Sequence, residues 1–237
     1  TVGLVSRAGI IPIASSQDTA GPMTRTVRDS AALLNVLAHH DKLDKATDKL
    51  RRPDDYVAEL SRNGLKGARI GVPSDPADPG NDVYYGPLSP AARAVMERAI
   101  TALQDSGAII VRASMPTAGW IGGPGTDMAV LNRNPESPGV NTVARVPIVF
   151  LYELKHDLGL YLSDWAKGTK IRTIEDVVAF NAAHADRALR FGQDLFLAAA
   201  ATKGDLSEPE YRAARRNDLL SARQRGLDVY MAAHKLD

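Results

Sequence analysis

Ala68-Arg69-Ile70-Gly71-Val72-Pro73 and Ile109-Ile110-Val111 bracket a stretch that opens a helix at Ser89-Pro90. The first run is short, rich in β-branched residues and stopped by its proline, which reads as a strand. Serine before proline is a strong helix start: the hydroxyl caps, and proline at the first helical position loses no bond. Ala92, Val95 or Met96, Ala99 and Leu103 recur at helical spacing as the expected core side, and Gly107 ends the helix. Strand, loop, helix, strand is the rhythm of an α/β layer with a parallel pair. Residues 68–72 and 109–111 are therefore expected to be neighbours in one sheet.

Upstream, Ile10, Ile11 and Ile13 supply a short extended segment that Pro12 pushes towards an edge or loop. Val27, Ala31, Leu34 and Ala38 then mark a helix over residues 26–38, with Thr26 and Asp29 as its start signal. Residues 39–53 form a charged connector, and residues 75–86 hold the Pro, Asp, Gly and Asn of a loop. Gly, Pro and Asn predict a long irregular stretch over residues 116–147, a length that in compact domains is often functional. The second half is helix-rich, with helices expected over residues 153–166, 173–201 and 207–234. Thr173 with Asp176, and Ser207 with Glu210, are the start signals of the last two.

The composition narrows the function. The 237 residues suffice for one large domain or two small ones, and 44% hydrophobic with 24% charged residues is an ordinary globular balance. Twenty-nine basic against 28 acidic residues give a net charge of +1, which removes the electrostatic case for a nucleic-acid binder. Zero cysteines exclude disulfides, thiolate metal sites and cysteine nucleophiles, and suit a reducing, cytoplasmic compartment. No apolar run approaches the roughly 18–20 residues of a membrane span. No secretory signal opens the chain.

Chemistry-bearing residues are sparse. His39 and His40 are adjacent rather than one helical turn apart, and His156, His184 and His234 fall on separate expected elements, so no metal site is expected. Gly122-Gly123-Pro124-Gly125-Thr126-Asp127 lacks the lysine of a phosphate-binding loop and reads as a flexible loop. Glu153 and Asp157 share a helix face at i,i+4 but sit in a charge-dense turn that reads as solvated. The mixed charges around Arg212 to Asp228 read as an exposed helix. Ser15, Ser16 and Asp18 lie in a polar turn. Their oxygens could face a substrate, or could equally cap Gly21-Pro22 and the start of the helix that follows.

Two runs near the start carry a resemblance. They are Thr1-Val2-Gly3-Leu4-Val5-Ser6-Arg7-Ala8-Gly9-Ile10-Ile11-Pro12 and Ser16-Gln17-Asp18-Thr19-Ala20-Gly21-Pro22-Met23-Thr24-Arg25-Thr26-Val27. Together they resemble the segment of amidase signature enzymes just after the nucleophile. His40-Asp41-Lys42-Leu43-Asp44 is similar to the Gly-x-Asp-x-x-Asp connector that follows there, with His39 where the glycine usually stands. Residues 150–158, 161–162, 191–196, 202–204 and 206–211 resemble the peptide-amidase-like branch.

The resemblance implies an α/β/α fold with a mixed sheet flanked by helices. It implies hydrolysis of carboxamide C–N bonds by a Ser-Ser-Lys triad, in which a lysine base and a bridging serine activate the nucleophile. The substrate would be a small-molecule or peptide amide, with no cofactor, nucleic acid or membrane involved; the oligomeric state is not legible. All three triad residues belong upstream of Thr1 in the family pattern, so no catalytic residue is expected within this chain. Residues 1–237 are thus expected to form one incomplete amidase-signature domain, its middle to C-terminal part, truncated at both ends and inactive alone. Ser16 and Asp18 are the substrate-binding candidates. A scaffold kept for binding without catalysis is the alternative.

Overall fold

The computed structural model describes residues 2–49, 51–75, 77, 82, 84–117, 128–132 and 143–237. The glycine-rich run 122–127 lies outside the described residues. The chain divides into two compact units. One is Thr1–Leu60 with Asp127–Ala214; the other is Ser61–Thr126 with Arg215–Asp237.

In the first unit, α1 (Val27–Leu37) starts as expected, with the Thr26 hydroxyl accepting the Asp29 N–H at 3.1 Å. The second unit contains the decisive layer. β1 (Arg69–Val72) pairs in parallel with β2 (Ile109–Arg112), from Arg69 opposite Ile109 to Val72 opposite Arg112. The helix α2 (Pro90–Asp105) runs between them in the chain. Ser89 caps α2 by accepting the Ala92 N–H at 3.2 Å, with Pro90 at the first position. The expected pairing is therefore found.

The inward face of α2 differs from the expected one. Val95 and Met96 are exposed, and Ile100 is the buried residue, packed with Val72 and Tyr85. Arg93 and Glu97, two turns and one turn before Ile100, explain the rotation. Arg93 lies over the Tyr85 ring at 4.7 Å, and Glu97 accepts the Tyr85 hydroxyl and pairs with Arg112 at 2.8 Å. Two charged residues thus occupy positions that apolar counting assigns to solvent. Tyr230, on the last helix (Asp228–His234), is also buried in this unit, and its hydroxyl donates to the Ala113 carbonyl at 3.2 Å. Burial raises its pKa.

The irregular stretch expected over residues 116–147 instead includes an antiparallel pair, β3 (Met128–Asn132) with β4 (Val143–Pro147). Five-residue strands set among Gly, Pro and Asn leave too short a period to outweigh their surroundings. Pro147 then stands at the N-cap of α3 (Ile148–Trp165).

The helix expected over residues 173–201 is broken in two places. α4 (Ile174–Ala183) opens with a reciprocal capping box between Thr173 and Asp176. It stops where the His184 ring Nδ1 meets the Phe180 carbonyl at 2.8 Å, taking the acceptor that the next turn would use. A single turn, α5 (Ala185–Ala188), follows. Gly192 at φ 73° then reverses the chain before α6 (Asp194–Ala200). Leu158, Leu162, Ile174 and Ala199 form the core that joins α3, α4 and α6.

The expected helix over residues 207–234 is α7 (Pro209–Leu219), a π-type segment (Leu220–Leu227) and α8 (Asp228–His234). Gly226, at φ −110° and ψ −106°, breaks the helical path. The Ser207 and Glu210 pair does not act as the expected box. The Ser207 backbone N–H donates to Asp205 at 2.9 Å, and Glu210 accepts the Tyr152 hydroxyl at 2.7 Å.

Candidate functional site

The site builds up from two motif segments that the fold merges. Ser6 donates its hydroxyl to Asp41 at 2.6 Å, and Arg7 grips Asp44 through Nε and Nη2, each at 2.8 Å, and through its backbone N–H at 3.0 Å. The Arg7–Asp44 pair is largely buried, with side chains 17% and 8% exposed. The guanidinium bonds hold the Asp44 carboxyl down to about 2. The Ser6 hydroxyl likewise lowers Asp41. Gly3 makes the approach possible: at φ 84° it lies against the Ala46 carbonyl, where a Cβ would collide.

Beyond this clamp the chain from Ser6 to Thr26 forms neither helix nor strand, so its backbone groups need other partners. Asp18 accepts the N–H groups of Ile13 and Ala14, both at 2.9 Å, while the Ala14 carbonyl accepts those of Gln17 and Asp18. Arg7 Nη1 donates to the Ser15 carbonyl. The Ser15 N–H donates to Asp157 at 2.7 Å, and the Ser16 N–H donates to Glu153 at 2.9 Å.

Glu153 and Asp157 therefore correct the sequence reading of a solvated face: they are 1% and 8% exposed. Glu153 also accepts the Tyr211 hydroxyl at 2.8 Å, and Asp157 meets the His156 ring Nδ1 at 2.7 Å. Beside them, burial and the Glu210 contact raise the Tyr152 phenol. The i,i+4 spacing is legible in the sequence. The burial has one signal there, an acid inside the apolar run Phe150-Leu151-Tyr152-Glu153-Leu154.

A cleft of about 250 Å³ opens next to the turn, walled by Arg7, Ile10, Ser15, Asp18, Tyr161 and Trp165 among others. Of the two candidates, Asp18 lines this cleft while using one carboxyl oxygen to hold the turn. The Ser16 hydroxyl oxygen is closed off from solvent and has no hydrogen-bond partner among the described residues. Ser15 is the serine at the cleft wall. Among the described residues no three His, Asp or Glu side chains gather in a metal-binding cluster. No described helix is long and apolar enough to cross a membrane.

The chain is similar to known proteins. Residues 1–119 match the Amidase family. A probable amidase of Arabidopsis thaliana is 30% identical over the whole chain, which covers 40% of that protein. One component of the glutamyl-tRNA(Gln) amidotransferase of Acinetobacter baumannii is 42% identical over 113 residues, 47% of this chain and 21% of that protein. Among solved structures, the native peptide amidase of Stenotrophomonas maltophilia superposes with a TM-score of 0.76 at 36% identity. All of this chain and 42% of that one take part. A structure of peptide amidase with the competitive inhibitor chymostatin gives 0.77. The chain thus spans about two fifths of the relatives that it matches from end to end. Its clamp, its braced turn and its α/β layer lie within a sequence that belongs to the Amidase family, on the peptide-amidase-like side.

Proposed function

We propose that this chain is part of a hydrolase that converts a carboxamide and water into a carboxylate and ammonia or an amine. Its two compact units belong to one amidase-signature domain in this reading. The observation that carries the proposal is the end-to-end match to peptide amidase at 36% identity. Amide cleavage needs an activated hydroxyl and donors for the tetrahedral oxyanion. In this reading a serine nucleophile, a second serine and a lysine lie outside the present sequence. The chain supplies the turn around Ser16 and Asp18 as part of the substrate side. A peptide amide is the favoured substrate, because the structural relatives at 36% identity are peptide amidases, one of them solved with the competitive inhibitor chymostatin.

The test is to assay the chain alone, and again joined to the preceding segment of its gene, against simple and peptide amides. The longer protein is expected to turn over amides and the 237-residue chain to stay at background. Loss of a serine hydrolase nucleophile costs about six orders of magnitude in the well-studied case. Turnover by the short chain, abolished by changing one of its own residues, would contradict this assignment. So would a longer protein that hydrolyses no amide.

A further inference from the structure

We infer that Glu153 and Asp157 are positioning residues that set the shape of the substrate-side turn, an inference that rests on the amidase reading above. They sit one helical turn apart on α3, so their carboxyls project from one face with a spacing that suits consecutive peptide groups. Each takes one of two consecutive backbone N–H groups, Ser16 at 2.9 Å and Ser15 at 2.7 Å. Arg7 holds the Ser15 carbonyl from the other side, so the peptide joining Ser15 to Ser16 is fixed at both its oxygen and its nitrogen.

Such a brace has a cost that simple packing would avoid. A carboxyl 1% exposed must be fully hydrogen-bonded or it destabilises the fold. Glu153 meets that condition with one oxygen on Ser16 and the other on Tyr211. An apolar residue at position 153 would fill the same space without a polar group to satisfy. What it could not do is accept the Ser16 N–H. The polar choice therefore points to a fixed turn rather than a filled core.

The Ser16 hydroxyl strengthens this reading. It is shielded from water and without a partner among the described residues, although its own backbone N–H is firmly held. An unmet hydroxyl at a fixed position is a pre-desolvated group that gains a bond when a polar partner arrives. The braced peptide determines where that hydroxyl and the cleft-wall side chain of Ser15 stand. The consequence belongs to substrate binding, since neither Glu153 nor Asp157 is placed at the reacting atoms.

Two readouts on Glu153→Leu, Glu153→Gln and Tyr211→Phe test the inference. Backbone amide exchange, measured on the protein with its upstream segment restored, reads the brace. Ser16 is expected to lose at least about tenfold protection in Glu153→Leu and to keep most of it in Glu153→Gln and Tyr211→Phe, because both retain an acceptor. Steady-state kinetics on the protein with its upstream segment restored reads the consequence. Glu153→Leu is expected to raise KM about tenfold with kcat within about twofold, and Glu153→Gln to restore most of the KM. If Glu153→Leu does not fold, Asp157→Ala carries both readouts, with exchange read at Ser15, whose N–H Asp157 accepts, and unchanged Ser15 exchange then overturning the brace. Unchanged Ser16 exchange would overturn the brace. Lost protection with an unchanged KM would reduce the pair to a structural role and overturn the positioning inference. A wild-type protein that hydrolyses no amide would refute the amidase reading and the kinetic half with it, and the exchange data would still decide the brace.

Discussion

The β1–α2–β2 layer and the turn from Ile13 to Asp18 are both short, and they are held by opposite means. In the layer, backbone groups satisfy one another through a parallel ladder and a capped helix, and apolar burial of Val72, Tyr85 and Ile100 supplies the driving force. In the turn, four consecutive N–H groups, from Ile13 to Ser16, donate to side-chain carboxyls. Two of those acceptors lie 142 and 137 residues away in sequence. The first region should be more sensitive to lost volume than to lost acceptors. The second should be sensitive to lost acceptors and tolerant of surface volume change. An irregular backbone keeps a single shape only when something else answers its hydrogen bonds, and here three acids do so, two of them buried.

The largest expected effect that could break this contrast lies in the layer. Ile100→Ala should cost about 3 kcal/mol in urea unfolding, as lost transfer energy adds to a cavity. Val95→Ala, on the same helix but exposed, should stay within about 0.5 kcal/mol. Equal costs would mean that the inward face has been misassigned.

The clamp beside the turn should show itself in pH dependence. Asp44 has a folded-state pKa of about 2 against an ordinary 3.8. Its contribution is therefore fully present above pH 3.8 and is lost as pH falls through about 2. Asp44→Asn should lower stability at neutral pH by about 1–2 kcal/mol, and should flatten the acid limb of Tm against pH. An acid limb identical in the variant would show that Asp44 contributes nothing to it. A smaller effect sharpens the layer again: Ser89→Ala should cost about 1 kcal/mol through the lost cap, with Ser89→Gly milder.

How far these features can be read from the sequence follows from the same difference. The strand pair and both ends of α2 are legible because every signal is local: a β-branched run, Ser89-Pro90, Gly107. The inward face is not, since Arg93 and Glu97 owe their position to Tyr85, a residue outside the helix. The breaks at His184 and Gly192 escape notice because periodicity averages over single residues that divert one carbonyl or one φ. At the site, the resemblance singles out Ser6-Arg7 and Asp41-x-x-Asp44 separately; only the fold shows that each answers the other. Ser16 and Asp18 stand out in the sequence as substrate candidates or as caps of Gly21-Pro22 and the helix start. Asp18 instead accepts the N–H groups of Ile13 and Ala14, before it in the chain, and it also stands at the cleft wall. The burial of Glu153 depends on a turn that precedes it by more than half the chain, which no local pattern encodes.

That a buried acid holds the turn is tested most directly by the unfolding free energies of Glu153→Leu and Glu153→Gln measured side by side. Leucine is predicted to cost about 2–3 kcal/mol, because the Ser16 N–H loses its buried acceptor and the bond from the Tyr211 hydroxyl to Glu153 is lost. Glutamine should cost less than about 1 kcal/mol, since its carbonyl can take the Ser16 N–H and its amide can donate to the Tyr211 oxygen. A leucine variant as stable as the wild type, or more stable, would contradict this, for the buried acid would then be replaceable by packing alone.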